Sequence, residues 1–356
     1  MVLAIVDVLH QCLISDLDMT NPSLSVYLSM NFRTIYQVKP LPFRISHQSE
    51  ILTSGSCFAT SMGDRLTRGK FPCLNSPFGT VYNPLSIHEQ ISYAVSSVRP
   101  LEDRVVMREG RYVHLDYHSS LSGSTSQECL DRLIHQQELV KKNLTQTNII
   151  MLTYGTAWVH AYQHQVVANC HKQPASLFEK RLLTLTEIKE SFQQLKNAID
   201  RSNEGVQFLL SVSPVRHLKD GFEENAISKS LLRYACHALK EIHANVHYFP
   251  AYELLLDDLR DYRFYADDLL HPNKLAENYI WEQFTQSTMN VETIQLLHEV
   301  ECVQLALNHQ AFHPGTISHL NFLRQLKSRL QKLNKQLPME PELAQVDHHL
   351  TTRLSG

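Results

Sequence analysis

The sequence predicts an α/β protein in which helices cover both faces of a mostly parallel sheet. Four short β-rich runs, at residues 50–54, 148–154, 206–212 and 245–249, each end in a small or turn-forming residue. Helical patterns separate these runs, and this alternation is typical of parallel sheets. In such folds the ligand binds in the loops that follow the carboxyl ends of the strands, so functional residues are expected there.

Three helical patterns place apolar side chains along one face of a segment. The first begins directly after the run at 50–54 and repeats every four residues, at Phe58, Met62 and Leu66. The second covers residues 187–199, and its face is formed by Ile188, Phe192, Leu195 and Ile199. The third covers residues 225–242, and its face is formed by Ile227, Leu231, Ala235, Ala238, Leu239 and Ile242. Each pattern predicts a helix that packs on the sheet.

The character of the chain changes near Asn290. Two helical patterns, at 291–308 and 318–337, flank the residues HPGT at 313–316, where proline and glycine end a helix. We expect four regions, with Met30 as an alternative start of translation. They are an N-terminal extension at 1–29, a main domain at 30–289, a helical hairpin at 290–337 and a polar, frayed tail at 338–356.

Composition excludes several classes of protein. The chain has 356 residues, 43% of them hydrophobic and 19% charged, with a net charge of −3, which excludes disordered, collagenous and coiled-coil proteins. No lysine- and arginine-rich run provides the basic face that nucleic acid requires. Seven cysteines without a Cys-x-x-Cys pair indicate free thiols in a reducing compartment. The apolar start lacks the cations of a signal peptide and is too short to span a bilayer, so we expect a cytoplasmic protein without membrane insertion.

The first candidate for chemistry is the segment GSCFA at 55–59, directly after the first β-rich run. Its glycine allows a tight turn before a helix. Cys57 then lies in the first helical turn, where unpaired N–H groups and the positive end of the dipole favour a thiolate, so we expect a lowered pKa. The same N–H groups are suited to hold an oxyanion. Simple packing at the turn is the alternative role.

The second candidate is the segment 266–273, which contains Asp268 and His271. Pro272 ends any preceding helix and suits the start of the next one, so His271 is expected on a loop just before a helix. Asp268 lies three residues earlier and can accept the imidazole N–H, which fixes the tautomer that a general base needs. A helix-capping pair without catalytic function is the alternative.

Together these segments resemble the GSCFA family and, more distantly, the SGNH/GDSL hydrolase superfamily. The resemblance begins near Met30 and covers most of the chain. Its further stretches are SPFGTVYNP (76–84), LTYGTAWV (152–159), NCHKQP (169–174), SVSPVRH (211–217) and DYRFYADDLLHPN (261–273). It implies a flavodoxin-like α/β/α sandwich and hydrolysis of ester or acyl groups by a nucleophile, a histidine and an aspartate.

In this resemblance Cys57 stands at the position of the nucleophilic serine of Gly-Asp-Ser-Leu, and Ser56 stands at that of the aspartate. A shift of one residue exchanges their roles, so Cys57 is preferred and Ser56 remains the alternative nucleophile. His271 and Asp268 complete the predicted set.

The superfamily forms its oxyanion hole from a loop glycine and an asparagine. Gly79 resembles the glycine, but where the superfamily has Gly-x-Asn-Asp this chain has GTAW at 155–158. Asn83, Asn169 and Thr156 are the possible substitutes for the missing asparagine.

Four other residues are candidates for binding. His171 is an alternative base or a substrate contact, and Arg216 is suited to hold a carboxylate or phosphate unless it forms a structural ion pair. His160 and His164 lie four apart, as on one face of a metal-binding helix. Because a third ligand is not evident, we expect no metal and no cofactor.

The sequence thus predicts an ester or acyl hydrolase that acts on a small molecule or a glycan. Three alternatives remain open: acyl transfer to a sugar or cell-wall-type acceptor, ligand binding in the same cleft without turnover, and assembly through the C-terminal hairpin. The missing asparagine and the thiol at the nucleophile position favour the binding protein among these.

Overall fold

The computed structural model describes residues 34–309 and 316–351. The predicted N-terminal extension at 1–29 lies outside the described residues. The chain divides into two compact units, at 1–37 and 38–356, and the elements below belong to the second unit.

The described part of this unit contains ten strands and nine longer helices. The strands are β1 (Ile51–Gly55), β2 (Cys73–Thr80), β3 (Val105–Arg108), β4 (Arg111–His114), β5 (Ile149–Tyr154), β6 (Trp158–Tyr162), β7 (Gln165–Val167), β8 (Phe178–Leu182), β9 (Gln207–Val212) and β10 (Val246–Tyr248). The helices are α1 (Cys57–Arg68), α2 (Pro84–Ser96), α3 (Ser126–Leu144), α4 (Leu185–Asp200), α5 (Phe222–Ile242), α6 (Lys274–Thr288), α7 (Val291–Leu307), α8 (Ile317–Leu333) and α9 (Glu340–Thr351).

Five strands form the central sheet, in the order β2-β1-β5-β9-β10, and every pair is parallel. This is the flavodoxin-like order, in which the chain starts near the middle of the sheet and winds outward in both directions. The order reverses between β1 and β5. The carboxyl edge at that point is where such folds bind ligands.

Alternate side chains of the strands enter two separate apolar cores. Leu52 and Ile150 pack in one core with residues from α2, α3, α4 and α5. Their neighbours Ile51 and Ile149 pack in the other with residues from α1 and α6. Successive side chains of a strand point to opposite faces, so the sheet is covered on both sides. The predicted α/β fold class is confirmed.

Two small antiparallel sheets were absent from the prediction. One pairs β3 with β4, and the other has the order β7-β6-β8. His160 lies on β6 and His164 in the turn before β7, which corrects the expectation of a helix face that presents both imidazoles. A period of two marks β6, because Val159 and Ala161 are buried on either side of the exposed His160. Within the described residues, no group of three His, Cys, Asp or Glu side chains is arranged for a metal ion.

The C-terminal helices share a third apolar cluster. Helices α7 and α8 lie at the two predicted helical patterns, while most of the predicted HPGT break lies outside the described residues. The expectation of a frayed tail is wrong for α9, because Val346 is fully buried against α7 and α8. An ion pair of 2.6 Å between Lys70 and Glu342 joins α9 to the segment after α1. Among the described helices, none combines the length and the apolar character needed to cross a membrane.

Candidate active site

The turn from β1 into α1 depends on Gly55. Its φ is +138°, and a Cβ added there would lie 2.2 Å from the carbonyl oxygen of its β5 partner Thr153. Only glycine fits this close approach. The turn places Ser56 at the N-cap of α1 and Cys57 at its first helical position, at the carboxyl edge of the sheet.

Ser56 and Cys57 differ in their access to solvent. Ser56 is 0% exposed, and its buried Oγ has no hydrogen-bond partner among the described residues. Cys57 is half-buried, and its thiol is free. The N–H groups of Cys57 and of Phe58 lie close enough to the sulfur to favour its anionic form, as unpaired amides at a helix N-terminus do.

The pKa of Cys57 does not follow the expectation from its helix position. Burial raises the pKa of this thiol above its ordinary value; the N–H of Phe58 and the charge of Lys229 oppose that effect, while Glu277 adds to it. The prediction of a lowered pKa is therefore wrong. The helix terminus alone does not compensate the loss of solvent around the sulfur.

The expected contact between Asp268 and His271 is present. Oδ2 of Asp268 accepts the Nδ1–H of His271 at 2.6 Å, and its Oδ1 accepts the N–H groups of Leu270 and His271 at 2.9 and 3.0 Å. These bonds lower the pKa of Asp268 to about 2, with the two backbone bonds as the largest causes. His271 Nε2 is then the free nitrogen. The pair lies on a tight loop in which the N–H of Ala266 donates to the carbonyl of His271, just before α6.

Two aromatic side chains, Tyr82 and His217, are neighbours of Cys57 and of His271 respectively. The rings of Tyr82 and His217 contact each other edge to face, with centroids 5.1 Å apart. Tyr82 is close enough to Cys57 for a thiolate there to raise the pKa of the phenol further, beyond the effect of burial. Burial lowers the pKa of His217 to about 4, and the neighbouring charges of Lys229 and His271 lower it too. Sulfur and imidazole thus lie at the same edge of the sheet.

The described residues show no hydrogen bond between the predicted nucleophile and the predicted base. Among the residues that the structure describes, no hydrogen bond joins Cys57 or Ser56 to His271, whose side chain is 49% exposed and contacts Asp268. Catalytic hydrogen bonds are often long in ligand-free enzymes and shorten with substrate. Sulfur and imidazole therefore lie at the same edge of the sheet without a hydrogen bond between them.

Gly79 lies beside the turn that carries Cys57. The pairing of β1 with β2 moves from Thr53–Asn75 to Gly55–Thr80, so residues 76–79 form a bulge. Gly79 has a φ of +76°, and a Cβ added there would lie 2.5 Å from that of His118. The bulge thus needs glycine at this position, next to the residue that pairs with Gly55.

Asn83 and Thr156 have other functions than those predicted. Asn83 caps α2: its Oδ1 accepts the N–H of Ser86 at 2.9 Å, and its Nδ2 donates to the hydroxyl of the same residue. The hydroxyl of Thr156 accepts the N–H of Trp158 and bonds to that of Ser228. Their polar atoms are used within the fold, so neither residue is a free oxyanion donor.

Asn169 and His171 also have structural partners. Oδ1 of Asn169 accepts the N–H of His171 at 2.8 Å. The buried His171 donates from Nε2 to the carbonyls of His114 and Tyr117, and burial lowers its pKa. The structure records no contact between these residues and Cys57. His171 does not fit the predicted role of an alternative base, because Nδ1, the nitrogen left to accept a proton, is buried from solvent.

Arg216 packs against the segment that leads to His271. Its guanidinium lies 4.9 Å from the ring of Tyr265 and 5.5 Å from that of Tyr262, and it donates to the Tyr262 hydroxyl at 3.3 Å. In the described part of the chain Arg216 has no carboxylate partner, so the predicted ion pair is not formed. Its contacts position the loop rather than leave the guanidinium free for an anion.

Comparison with protein families identifies the chain. The model of the GSCFA family matches residues 50–284, and that of the GSCFA domain protein, C-terminal domain, matches residues 300–352. The chain belongs to the GSCFA family. Among solved structures, it is similar to a carbohydrate esterase family 3 protein from Talaromyces cellulolyticus, with a TM-score of 0.33 and 9% identity over 70% of this chain and 99% of that one. No curated protein matches it.

Three residues at this site of the GSCFA protein were not predicted from the sequence. His217 follows β9 and Tyr82 follows β2, both at the carboxyl edge of the sheet. Their positions directly after strands are the feature of the sequence that could have indicated a functional role. Lys229 lies inside the helical pattern that became α5, where a lysine is ordinarily solvated. Its side chain is only 1% exposed, and nothing in the sequence alone indicates this burial.

Proposed function

We propose that this GSCFA protein hydrolyses an ester or related acyl group, with Cys57 as the nucleophile and His271, oriented by Asp268, as the general base. The observation that carries the proposal is a shared pair of aromatic neighbours: Tyr82 lies within electrostatic range of Cys57, His217 lies within that of His271, and the two rings are 5.1 Å apart. Cys57 is half-buried at a helix N-terminus, while a histidine bonded to a carboxylate at 2.6 Å presents its free Nε2. The resemblance of Gly55 to Phe58 to Gly-Asp-Ser-Leu supports the same assignment.

Exposure supports Cys57 over Ser56 as the nucleophile. The side chain of Ser56 is sealed from solvent, whereas Cys57 is only half-buried. Because the pKa of Cys57 is raised, the thiol holds its proton near neutral pH and needs a base to remove it. His271 is suited to this task, since Asp268 fixes its Nδ1–H and leaves Nε2 to accept a proton.

The reaction has two steps. Nε2 of His271 takes the proton from the thiol, sulfur forms a bond to the acyl carbon, and the carbonyl oxygen becomes an oxyanion near the N–H groups of Cys57 and Gly79. The bond from carbon to the leaving oxygen then breaks, and His271 returns the proton to that oxygen. In the second step His271 takes a proton from water, which attacks the thioester, and the carboxylic acid leaves as the thiol regains its proton.

The test is an assay of short-chain aryl esters and thioesters with the parent and with Cys57→Ala, Ser56→Ala and His271→Ala. We expect Cys57→Ala and His271→Ala to lose activity to a similar extent, because such residues act as a unit. Ser56→Ala should keep most of it, because the hydroxyl has no partner to lose. Full activity in Cys57→Ala would refute the assignment, and loss in Ser56→Ala alone would transfer the role to the serine.

Binding without turnover is the second candidate function. The raised pKa of Cys57 and the absence of a hydrogen bond from it to His271 favour this alternative. Tight binding of a small-molecule or glycan ester without product would support it. Acyl transfer is distinguished from hydrolysis when the products are compared with and without an added sugar acceptor.

A further inference from the structure

Lys229 is a buried cation at the carboxyl edge of the sheet. It extends from α5, is 1% exposed, and donates from Nζ to the carbonyls of Gly155 at 2.7 Å and Ser213 at 2.8 Å. These two carbonyls directly follow the neighbouring strands β5 and β9. Across the described residues, no carboxylate forms an ion pair with this lysine. Burying an ammonium without a counter-ion costs free energy of folding, so the presence of a lysine at this position calls for an explanation.

The groups that face Lys229 and Cys57 come from several elements. The charge of Lys229 acts on Cys57 at the start of α1 and on His217 in the loop after β9. Glu277 on α6 acts on Cys57 in the opposite direction, and Tyr82 is a further neighbour of the sulfur. Among these neighbours the sulfur of Cys57 is the group that becomes negatively charged in the proposed reaction. Strand geometry supports the same pairing: the N–H of Ser56 donates to the carbonyl of Thr153 at 3.0 Å, two residues before the Gly155 carbonyl that accepts from Lys229, so Cys57 and the ammonium lie at neighbouring strand ends.

The protonation of Lys229 is balanced between two effects. Burial lowers its pKa to about 7, and a thiolate at Cys57 raises it again. The two carbonyl acceptors favour the ammonium as well, because hydrogen bonds from a charged donor are stronger. Coupling of this kind is reciprocal, so the ammonium must favour the thiolate to the same extent.

We propose that the ammonium of Lys229, held in place by the carbonyls that follow β5 and β9, is the charge partner of the Cys57 sulfur and stabilises its anionic form. This deepens the proposed function, since it rests on Cys57 as the nucleophile. When His271 removes the thiol proton, negative charge develops on sulfur beside a positive charge that is already positioned, and no solvent has to reorganise. Lys229 acts through Cys57 and is thus a positioning residue.

The first experiment measures alkylation of Cys57 by iodoacetamide across pH in the parent and in Lys229→Met, which keeps the length of the side chain and removes its charge. The half-buried thiol of Cys302 on α7 serves as an internal reference, read from the same digest by mass spectrometry. An opposite charge at this range shifts a pKa by about one unit or more, so alkylation of Cys57 at pH 6, where Lys229 is mainly protonated, should fall by about tenfold or more while that of Cys302 is unchanged. An unchanged rate at Cys57 in a folded variant overturns the proposal.

The second experiment leaves Lys229 in place and remains decisive if Lys229→Met does not fold. Cys57→Asp puts a permanent anion where the thiolate would be, and Cys57→Asn is its isosteric neutral control; both residues suit the first turn of a helix. The titration of Lys229 is followed through its ¹³Cε signal. The midpoint in Cys57→Asp should lie about one pH unit or more above that in Cys57→Asn. Coincident midpoints would show that no coupling exists.

Neither experiment uses an ester substrate. Coupling between Cys57 and Lys229 without ester turnover would support the charge pair and refute the proposed hydrolysis. Ester turnover that depends on Cys57, without such coupling, would support the hydrolysis and refute the role of Lys229.

Discussion

Replacing Asp268 by Asn separates the orientation of His271 from the stability of its loop. Asp268 makes three hydrogen bonds, two of them from backbone N–H groups to Oδ1. Asparagine keeps an oxygen for both, so the loop retains its local bonds. The third bond is reversed. In the parent, Nδ1–H of His271 donates to Oδ2 of Asp268, whereas the amide of asparagine presents an N–H donor at that position. The imidazole then adopts the other tautomer and presents Nε2–H, which cannot accept a proton.

The expected loss of activity in Asp268→Asn depends on how exposed the Asp268 side chain is. In serine proteases the corresponding change, at a buried aspartate, lowers kcat by about 10⁴-fold. The side chain of Asp268 is 47% exposed, so water replaces part of its influence on the imidazole. We therefore expect kcat/KM for an aryl ester to fall by roughly 10²- to 10³-fold, with an unchanged melting temperature.

Asp267→Asn is the matched control for this variant. Asp267 is the exposed neighbour on the same loop, and its removal changes the net charge equally. It should retain the kcat/KM of the parent. Equal losses in the two variants, or more than a tenth of the parent's activity left in Asp268→Asn, would refute the proposed orientation of His271 by Asp268.

Three further predictions concern the fold and the loop. Gly55→Ala brings a Cβ within 2.2 Å of the Thr153 carbonyl oxygen and should lower the free energy of unfolding in urea by about 3 kcal/mol or more; a loss under about 1 kcal/mol would contradict this. Burial lowers the pKa of His88 from 6.5 to about 3, so between these values the unfolded chain takes up a proton that the folded chain excludes. His88 should then contribute a fall of about 1.4 kcal/mol in the free energy of unfolding for each pH unit of acidification, so the slope in His88→Gln should be smaller than that of the parent by this amount, whereas equal slopes would refute it. Arg216→Met removes the cation above Tyr265 and should speed amide hydrogen exchange at residues 266–271 by up to about tenfold, against no change if the contact is incidental.

The central strands were predictable because their signal is local. The four predicted β-rich runs match β1, β5, β9 and β10 to within two residues at either end, since short apolar runs between turn residues are characteristic of strands that are buried on both faces. β2 was missed. Its residues are mostly half-buried and polar, and a bulge at 76–79 interrupts its pairing, so neither alternation nor an apolar run marks it.

Helix α5 shows where a local pattern fails. The expected apolar face included Ile227 and Ile242, which are 50% and 54% exposed. Ser228 and Lys229 are buried instead, because their polar atoms bond to backbone groups that follow β5 and β9. Hydrophobicity is therefore a reliable predictor of burial only for residues whose surroundings in the fold are apolar.

The sequence by itself determined the fold class, the turn at Gly55 and the bond between Asp268 and His271, because each depends on residues that are neighbours along the chain or on their periodic spacing. Only the tertiary structure decided that Ser56 is sealed while Cys57 is half-buried, that burial raises the pKa of this thiol, and that the charge of the buried Lys229 acts on it. Solvent exclusion and charge act through space, and the groups that supply them here come from helices and loops far apart in the sequence.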